Sequence, residues 1–372
     1  MDADDVVRLR LRRQQLRAPH ADTPEAALKN LLAVQSQEFP YARWSLAQRT
    51  AGASAADVEQ AVADGRILRT HILRPTWHFV HRDDLRWLSA LSAPRLHQGN
   101  QGMYRQTGID AAVASRSARV LARAVAGGAH KTREELAAEL QRSGFTGKGL
   151  ELAYLIMHAE ISGVLTSGTP VRSKGGALRQ TYALFDERVP AAPTGPADRP
   201  VALAELVRRY FQSRGPATAK DCADWSGLTV TDVRLGLALA LEIDPGALET
   251  AALDGTEVHF KPDSQHEPAA GGTARIDLIQ CYDEYVMGYS RTRHFLGGTA
   301  PALPERDTPM HVVLRDGRMI GSWRHVLTGG SCELDIRTGP EPGDAATPGT
   351  DRAVDEAVEA YGKFLEMPVV RK

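Results

Sequence analysis

Cysteine is scarce: Cys222, Cys281 and Cys332 are the only three among 372 residues, odd in number and nowhere spaced as CxxC. That excludes a disulfide framework and an all-cysteine zinc site. The twelve histidines form no HExxH pair, so no metal or other cofactor is expected. Long apolar runs are missing as well. No stretch approaches the roughly 18 residues of a membrane span. The N-terminus, MDADDVVRLRLRRQQ, is charged where a signal peptide has its apolar core, which places the expected location in the cytoplasm. A net positive charge is lacking too, the formal total being −1. The two halves nevertheless differ. Residues 1–185 carry 25 Lys+Arg against 17 Asp+Glu, a surplus of 8 positive charges, and the remainder carries 20 against 29, a deficit of 9. Such asymmetry suggests a basic surface facing a polyanion and a separate acidic back, although clustering on solvated helices gives the same count.

What is present is alanine-rich amphipathic sequence, which implies a mainly α protein with small β wings. Its length exceeds one ordinary core. A basic helix over 5–17 carries Arg8, Arg10, Arg12, Arg13 and Arg17. Asp22-Thr23-Pro24-Glu25 then starts a helix that runs through AALKNLLAV, and a third helix fits 54–64. RILRTHILRPTWHFV follows as two strands broken near Pro75. Helices followed by a two-stranded wing have the order of a winged helix-turn-helix. The pattern recurs from Thr132, with a longer helix over 149–162 and a wing from VLTSG and QTYALF. It recurs again from Thr218, with a helix over 229–242 and a hairpin of ALETAAL and TEVHFKP joined through Asp254-Gly255. Expected units are therefore 1–95, 96–190, 200–262 and a C-terminal α/β region, 273–372. PAAPTGPADRP (190–200) and EPGDAATPGTD (341–351) read as linkers before the third unit and before a last helix over 351–366. In HVVLRDGRMIGSWRH, the turn Asp316-Gly317 is flanked by Arg315 and Arg318, a basic tip suited to a DNA groove.

Chemistry concentrates in VQSQEFPYARWSLAQRT (34–50). Gln35 and Gln37 lie two apart and share a face only where the chain is extended or irregular. A neutral amide accepts through its carbonyl and donates through its NH₂, so two on one face can orient water beside a polarised sugar. Taken alone, paired glutamines are more often plain surface residues. Two further segments, LRPTWHFV (73–80) and YDEYVMGYSRTRHF (282–295), change that weighting. With them, the chain resembles a bacterial winged-helix DNA glycosylase family of the kind that gives resistance to azinomycin-type cross-linking agents, from the first helix to about residue 325.

The resemblance implies three tandem winged helices in a C-shaped scaffold, double-stranded DNA with alkylated purines or interstrand cross-links as partner, and a catalytic Gln-x-Gln motif matched by Gln35 and Gln37. The family's middle residue tends to be apolar; here it is Ser36. An N7-alkylated guanine is cationic and leaves without a general acid, so two amides can suffice where ordinary glycosidases use two carboxylates. Asp283 and Glu284 are either a catalytic pair or structural groups beside the site, the second being preferred. Trp77 is expected in the core and His78 either lining the cleft or supporting it, while Tyr285 and Tyr289 serve packing. Arg74, Arg291, Arg293, Arg315 and Arg318 are the expected DNA contacts, with Arg318 foremost. The rival readings are a winged-helix transcription factor, for which no regulatory domain is evident, and a non-catalytic DNA-binding protein.

Overall fold

The computed structural model describes residues 1–173, 178–190, 195–196, 198–253, 255–262, 274–297, 311–338 and 350–372. Asp254 and parts of both expected linkers (191–194, 197 and 341–349) lie outside the described residues.

Helix Ala3–Arg13 opens with a capping box between Asp2 and Asp5. Thr23 caps Pro24–Leu31, whose first residue is proline. That helix stops three residues short of the expected Val34 because Leu32 adopts φ 65°, which no α-helix accommodates. Ala33–Gln35 is instead a strand, and it pairs with Trp77–His81, which also pairs with Ile67–His71. The expected two-stranded wing is therefore a three-stranded sheet, with Gln35 and Thr70 each opposite His78. Between the first strand and helix Ala55–Ala63 lies an unexpected helix, Phe39–Ala47. Val34, Phe79 and Ile67 pack on Leu28, Leu46 and Val58 from these helices.

Arg82–Gln106 is a single helix of 25 residues, about 37 Å long. The expected boundary at 95 falls inside it, so the first two units share one element. Beyond it come Ala111–Val125, Arg133–Arg142 with the expected Thr132 cap, and Gly149–Ile161. Leu165–Ser167 and Thr181–Leu184 pair as the wing sequence predicts, with Lys131–Thr132 added at the edge. The third group comprises Arg199–Arg214, Ala219–Ser226 with its Thr218 capping box, Val230–Ile243, and the hairpin Glu249–Leu253/Thr256–Phe260. Its core is continuous with the other face of the first sheet, joining Leu68 and Val80 to Leu206, Tyr210 and Trp225.

The last region departs from "small β wings". Ile276–Ile279, His311–Arg315, Arg318–Thr328 and Ser331–Thr338 run antiparallel, and Val369–Arg371 adds a fifth, parallel strand. Helix Thr350–Leu365 covers this sheet through Val354, Tyr361 and Phe364, and Trp44 of the first group completes that core. Sequence patterning shows the first hairpin; Ile276–Ile279 and Val369–Arg371 rest on pairings between distant segments, while Ser331–Thr338 follows its neighbour through the Gly329-Gly330 turn. Among the described residues no helix is long and apolar enough to cross a membrane.

Candidate active site

Gln35 ends its strand in a buried position and is held at three points. Its backbone N–H donates to Glu284 Oε1 at 2.9 Å, and its backbone carbonyl accepts from Gln280 Nε2 at 3.3 Å. Its side-chain Oε1 accepts from Arg74 Nη2 at 2.8 Å. A guanidinium has only donors, so the amide must turn its carbonyl toward Arg74 and its NH₂ away. Gln37, half-buried, lies just past the strand, where its Oε1 accepts from the Trp77 N–H at 3.3 Å. Among the described residues, nothing accepts a hydrogen bond from the Nε2 of either glutamine. Both amides therefore keep free donors and a second carbonyl lone pair.

Arg74 sits in the bend Leu73–Thr76 and reaches three groups: Gln35, the Trp225 backbone carbonyl, and His78 Nε2 at 3.2 Å. His78 is fully buried and its Nδ1 lies 3.0 Å from the Thr76 carbonyl, which can only accept. The ring proton is thus on Nδ1, and Nε2 accepts from Arg74. Burial and then the neighbouring Arg74 charge hold the His78 pKa well below that of an ordinary histidine, so the ring is neutral at physiological pH. Of the two places the sequence allows His78, lining the cleft or supporting it, the contacts show it supporting Arg74, and Arg74 in turn orients Gln35.

Asp283 and Glu284 are each clamped by a buried arginine. Glu284 Oε2 accepts from Arg214 at 2.7 and 3.2 Å and from Trp225 Nε1 at 2.7 Å. Asp283 takes Arg49 in a two-pronged pair at 2.7 and 2.9 Å and also accepts from the Tyr285 N–H. All four charged side chains have zero exposure. Arg214 further donates to the carbonyls of Leu31 and Ala33, fixing the chain on either side of Leu32. Both carboxylates are thus fully engaged by buried arginines and by backbone or indole donors. Tyr289 OH joins the same network between Gln14 Nε2 and the Arg214 carbonyl, and Tyr285 OH donates to the Gly317 carbonyl. Gln14, Arg49, Gln280 and Arg214 carry no sequence signal for these roles, because each acts across a long stretch of chain.

The arginines expected on DNA divide. Arg291 is exposed on a rigid bend: the backbone N–H groups of Ser290, Arg291 and Thr292 all donate to buried Asp221 Oδ1 at 2.6–3.1 Å. A hollow of about 290 Å³ lies beside it, lined in part by Thr256, Thr292 and His294. Arg293 is half-buried and donates to the Tyr289 carbonyl. The Asp316-Gly317 turn does not project as a groove-entering tip. Gly317 is buried against Val7, Leu11 and Tyr285, where any Cβ would come within 2.9 Å of them. Arg318 pairs with Asp4 at 2.5 Å, and Arg315 is largely buried. The exposed turn of this sheet is Gly329-Gly330, preceded by Val326 and Leu327. The basic helix is likewise spent internally: Arg10 is buried, stacks 3.6 Å over Tyr289 and binds the carbonyls of Pro216 and Thr292, while Arg17 pairs with Asp277. Among the described residues, no three His, Cys, Asp or Glu side chains are grouped to hold a metal ion.

The sequence model of the family described as "DNA glycosylase AlkZ-like" matches residues 28–364. Among solved structures, the Streptomyces sahachiroi DNA glycosylase AlkZ superposes with a TM-score of 0.75 at 19% identity, covering 100% of both chains. No curated protein matches the sequence.

Proposed function

The chain belongs to the AlkZ-like DNA glycosylase family and is a DNA N-glycosylase, and from that premise we propose that it hydrolyses the N-glycosidic bond of alkylated purines in duplex DNA. N7-alkylguanines, including those in interstrand cross-links, are the substrates, and repair or self-resistance to an alkylating agent is the outcome. The three helical groups with their strand pairs act as tandem winged helices in a C-shaped scaffold, and Arg291 meets a phosphate. One observation carries the reading: Gln35 is fixed at backbone and side chain by Glu284, Gln280 and Arg74, with its NH₂ left unpaired among the described residues.

A water held by these two amides faces C1′ of an extruded nucleotide. Extrusion costs a few kcal/mol and is least costly for damaged pairs. The C1′–N9 electron pair returns to the cationic base, which departs neutral. Because departure needs no proton, cationic lesions are excised readily while neutral uracil or hypoxanthine is nearly inert, proton transfer to a leaving group being worth roughly 10²–10⁴-fold. The test is base release from duplexes bearing N7-methylguanine and, separately, hypoxanthine. Absence of release from the first overturns the function, and equal rates on both overturn the mechanism.

A further inference from the structure

Glu38 follows Gln37 directly and occupies the N-cap of Phe39–Ala47, yet its carboxylate makes no capping hydrogen bond. An N-cap acid ordinarily accepts from the second or third helical N–H. This one turns instead toward His311 on the five-stranded sheet, with Oε2 3.5 Å from Nε2. The tautomer of His311 follows from its other nitrogen. Nδ1 lies 3.2 Å from the Cys281 backbone N–H, which can only donate, so the ring proton is on Nε2 and faces Glu38.

The remaining titratable neighbours are held neutral. Burial pushes His311 down to about 3, and His325, stacked 4.1 Å behind Tyr41, down to about 4. It pushes Tyr41 and Cys281 up to about 12, and it raises Tyr282 as well. Among the described residues no arginine or lysine pairs with Glu38, unlike Asp283 and Glu284. The same half-burial raises the Glu38 pKa above its ordinary value. A partly buried carboxylate without a cation, a cap or a second partner, one residue from the glutamine pair, has no structural task that accounts for it.

We infer that Glu38 is a catalytic residue of this enzyme, the general base for the water that Gln35 and Gln37 hold. The inference rests on the glycosylase reading of that pair. As the C1′–N9 bond breaks and its electrons pass to the cationic base, the negative carboxylate faces the positive sugar. Water oxygen bonds to C1′, its proton transfers to Glu38, and C1′ is left carrying a hydroxyl. His311, whose Nε2 lies 3.5 Å from that carboxylate, is a positioning residue.

The experiment measures single-turnover release of N7-methylguanine by the wild type, Glu38→Gln, Glu38→Asp and His311→Gln from about pH 5 to about pH 8. Each protein's melting temperature is followed at every pH, and affinity for a duplex with a stable abasic analogue is measured at neutral pH. The wild-type rate is expected to be flat around neutrality and to fall on the acid side as one carboxyl protonates. Glu38→Gln lowers the plateau by about 10²-fold or more and abolishes the acid limb, with affinity within about threefold. Glu38→Asp keeps the limb at a reduced rate, and His311→Gln moves it to higher pH. A Glu38→Gln enzyme with the wild-type rate and pH profile overturns the inference. So does a rate that drops only in step with melting temperature or affinity, with the limb intact. If the wild type itself releases no base, the glycosylase reading fails first and Glu38 falls with it.

Discussion

Gln35 and Gln37 have the same chemistry but not the same surroundings, and their substitutions separate on that account. Removing the Gln35 amide leaves a buried Arg74 donor short of its acceptor, which costs about 1–3 kcal/mol. Gln37 is half-exposed and meets only one backbone N–H, so Gln37→Ala costs less than about 1 kcal/mol. Both variants are expected to lose excision by at least ~10²-fold, as when a pre-positioned transition-state contact is removed. Denaturant midpoints and single-turnover rates check both halves. Full activity in the two variants removes the amides from catalysis, and equal destabilisation contradicts the Arg74 contact. Gln35 and Gln37 stand out in the sequence as the candidate pair through their spacing and the flanking segments. That Arg74 aims one of them is not visible there, because an arginine in LRPT looks like any surface cation until its partners are folded around it.

Elements were legible where their signals are local. Thr23-Pro24, Thr132 and Thr218 each begin the helix they announce, since a cap needs only its own neighbours three residues on. Phe39–Ala47 escaped notice because its flanking Glu38 caps nothing and its apolar residues follow no clear stripe. The short strand Ala33–Gln35 escaped notice because Leu32 ends the preceding helix through a backbone angle that no residue type announces. The Asp316-Gly317 turn was found, but its burial under Ala3–Arg13 depends on Val7 and Leu11, some three hundred residues away. That placement changes which arginine is expected on DNA. Arg318 is paired with exposed Asp4, whereas Arg291 stands on a bend tied to Asp221. In titrations over a range of salt, Arg291→Ala should reduce the slope of log K against log[salt] by roughly one unit, while Arg318→Ala leaves it unchanged. The opposite ranking restores the hairpin turn to the DNA interface.

Among the described residues, every histidine whose pKa is clearly displaced is displaced downward by burial. His78, His158, His311 and His325 all hold folded-state pKa values below the ordinary 6.5, His158 at about 4. His158 lies 4.6 Å from His97 between Arg82–Gln106 and Gly149–Ile161, and the other three surround the candidate site and the sheet beside it. The unfolded chain protonates these rings as pH drops below 6.5, whereas the folded chain does so only at lower pH, near or below 4 for His158, His311 and His325. Their contribution is complete above 6.5 and is lost as pH falls toward those folded values. Each fully shifted ring steepens the dependence by about 1.4 kcal/mol per pH unit in that window. Melting temperature should therefore fall markedly between about pH 6.5 and about pH 4.5 and stay nearly constant just above. A melting temperature that is level through the acid range contradicts the burial of these rings.

The contact between Gln35 and Glu284 spans 249 residues of chain. A ribosome releases both glutamines first and the carboxylate that steadies Gln35 only 249 residues later. Until then the Gln35 N–H has no acceptor there, Arg214 and Trp225 lack their shared partner, and the motif is a stretch of unremarkable polar peptide. The candidate site thus acquires its geometry late in synthesis. A chain cut short before Glu284 carries both glutamines without the contact that fixes Gln35.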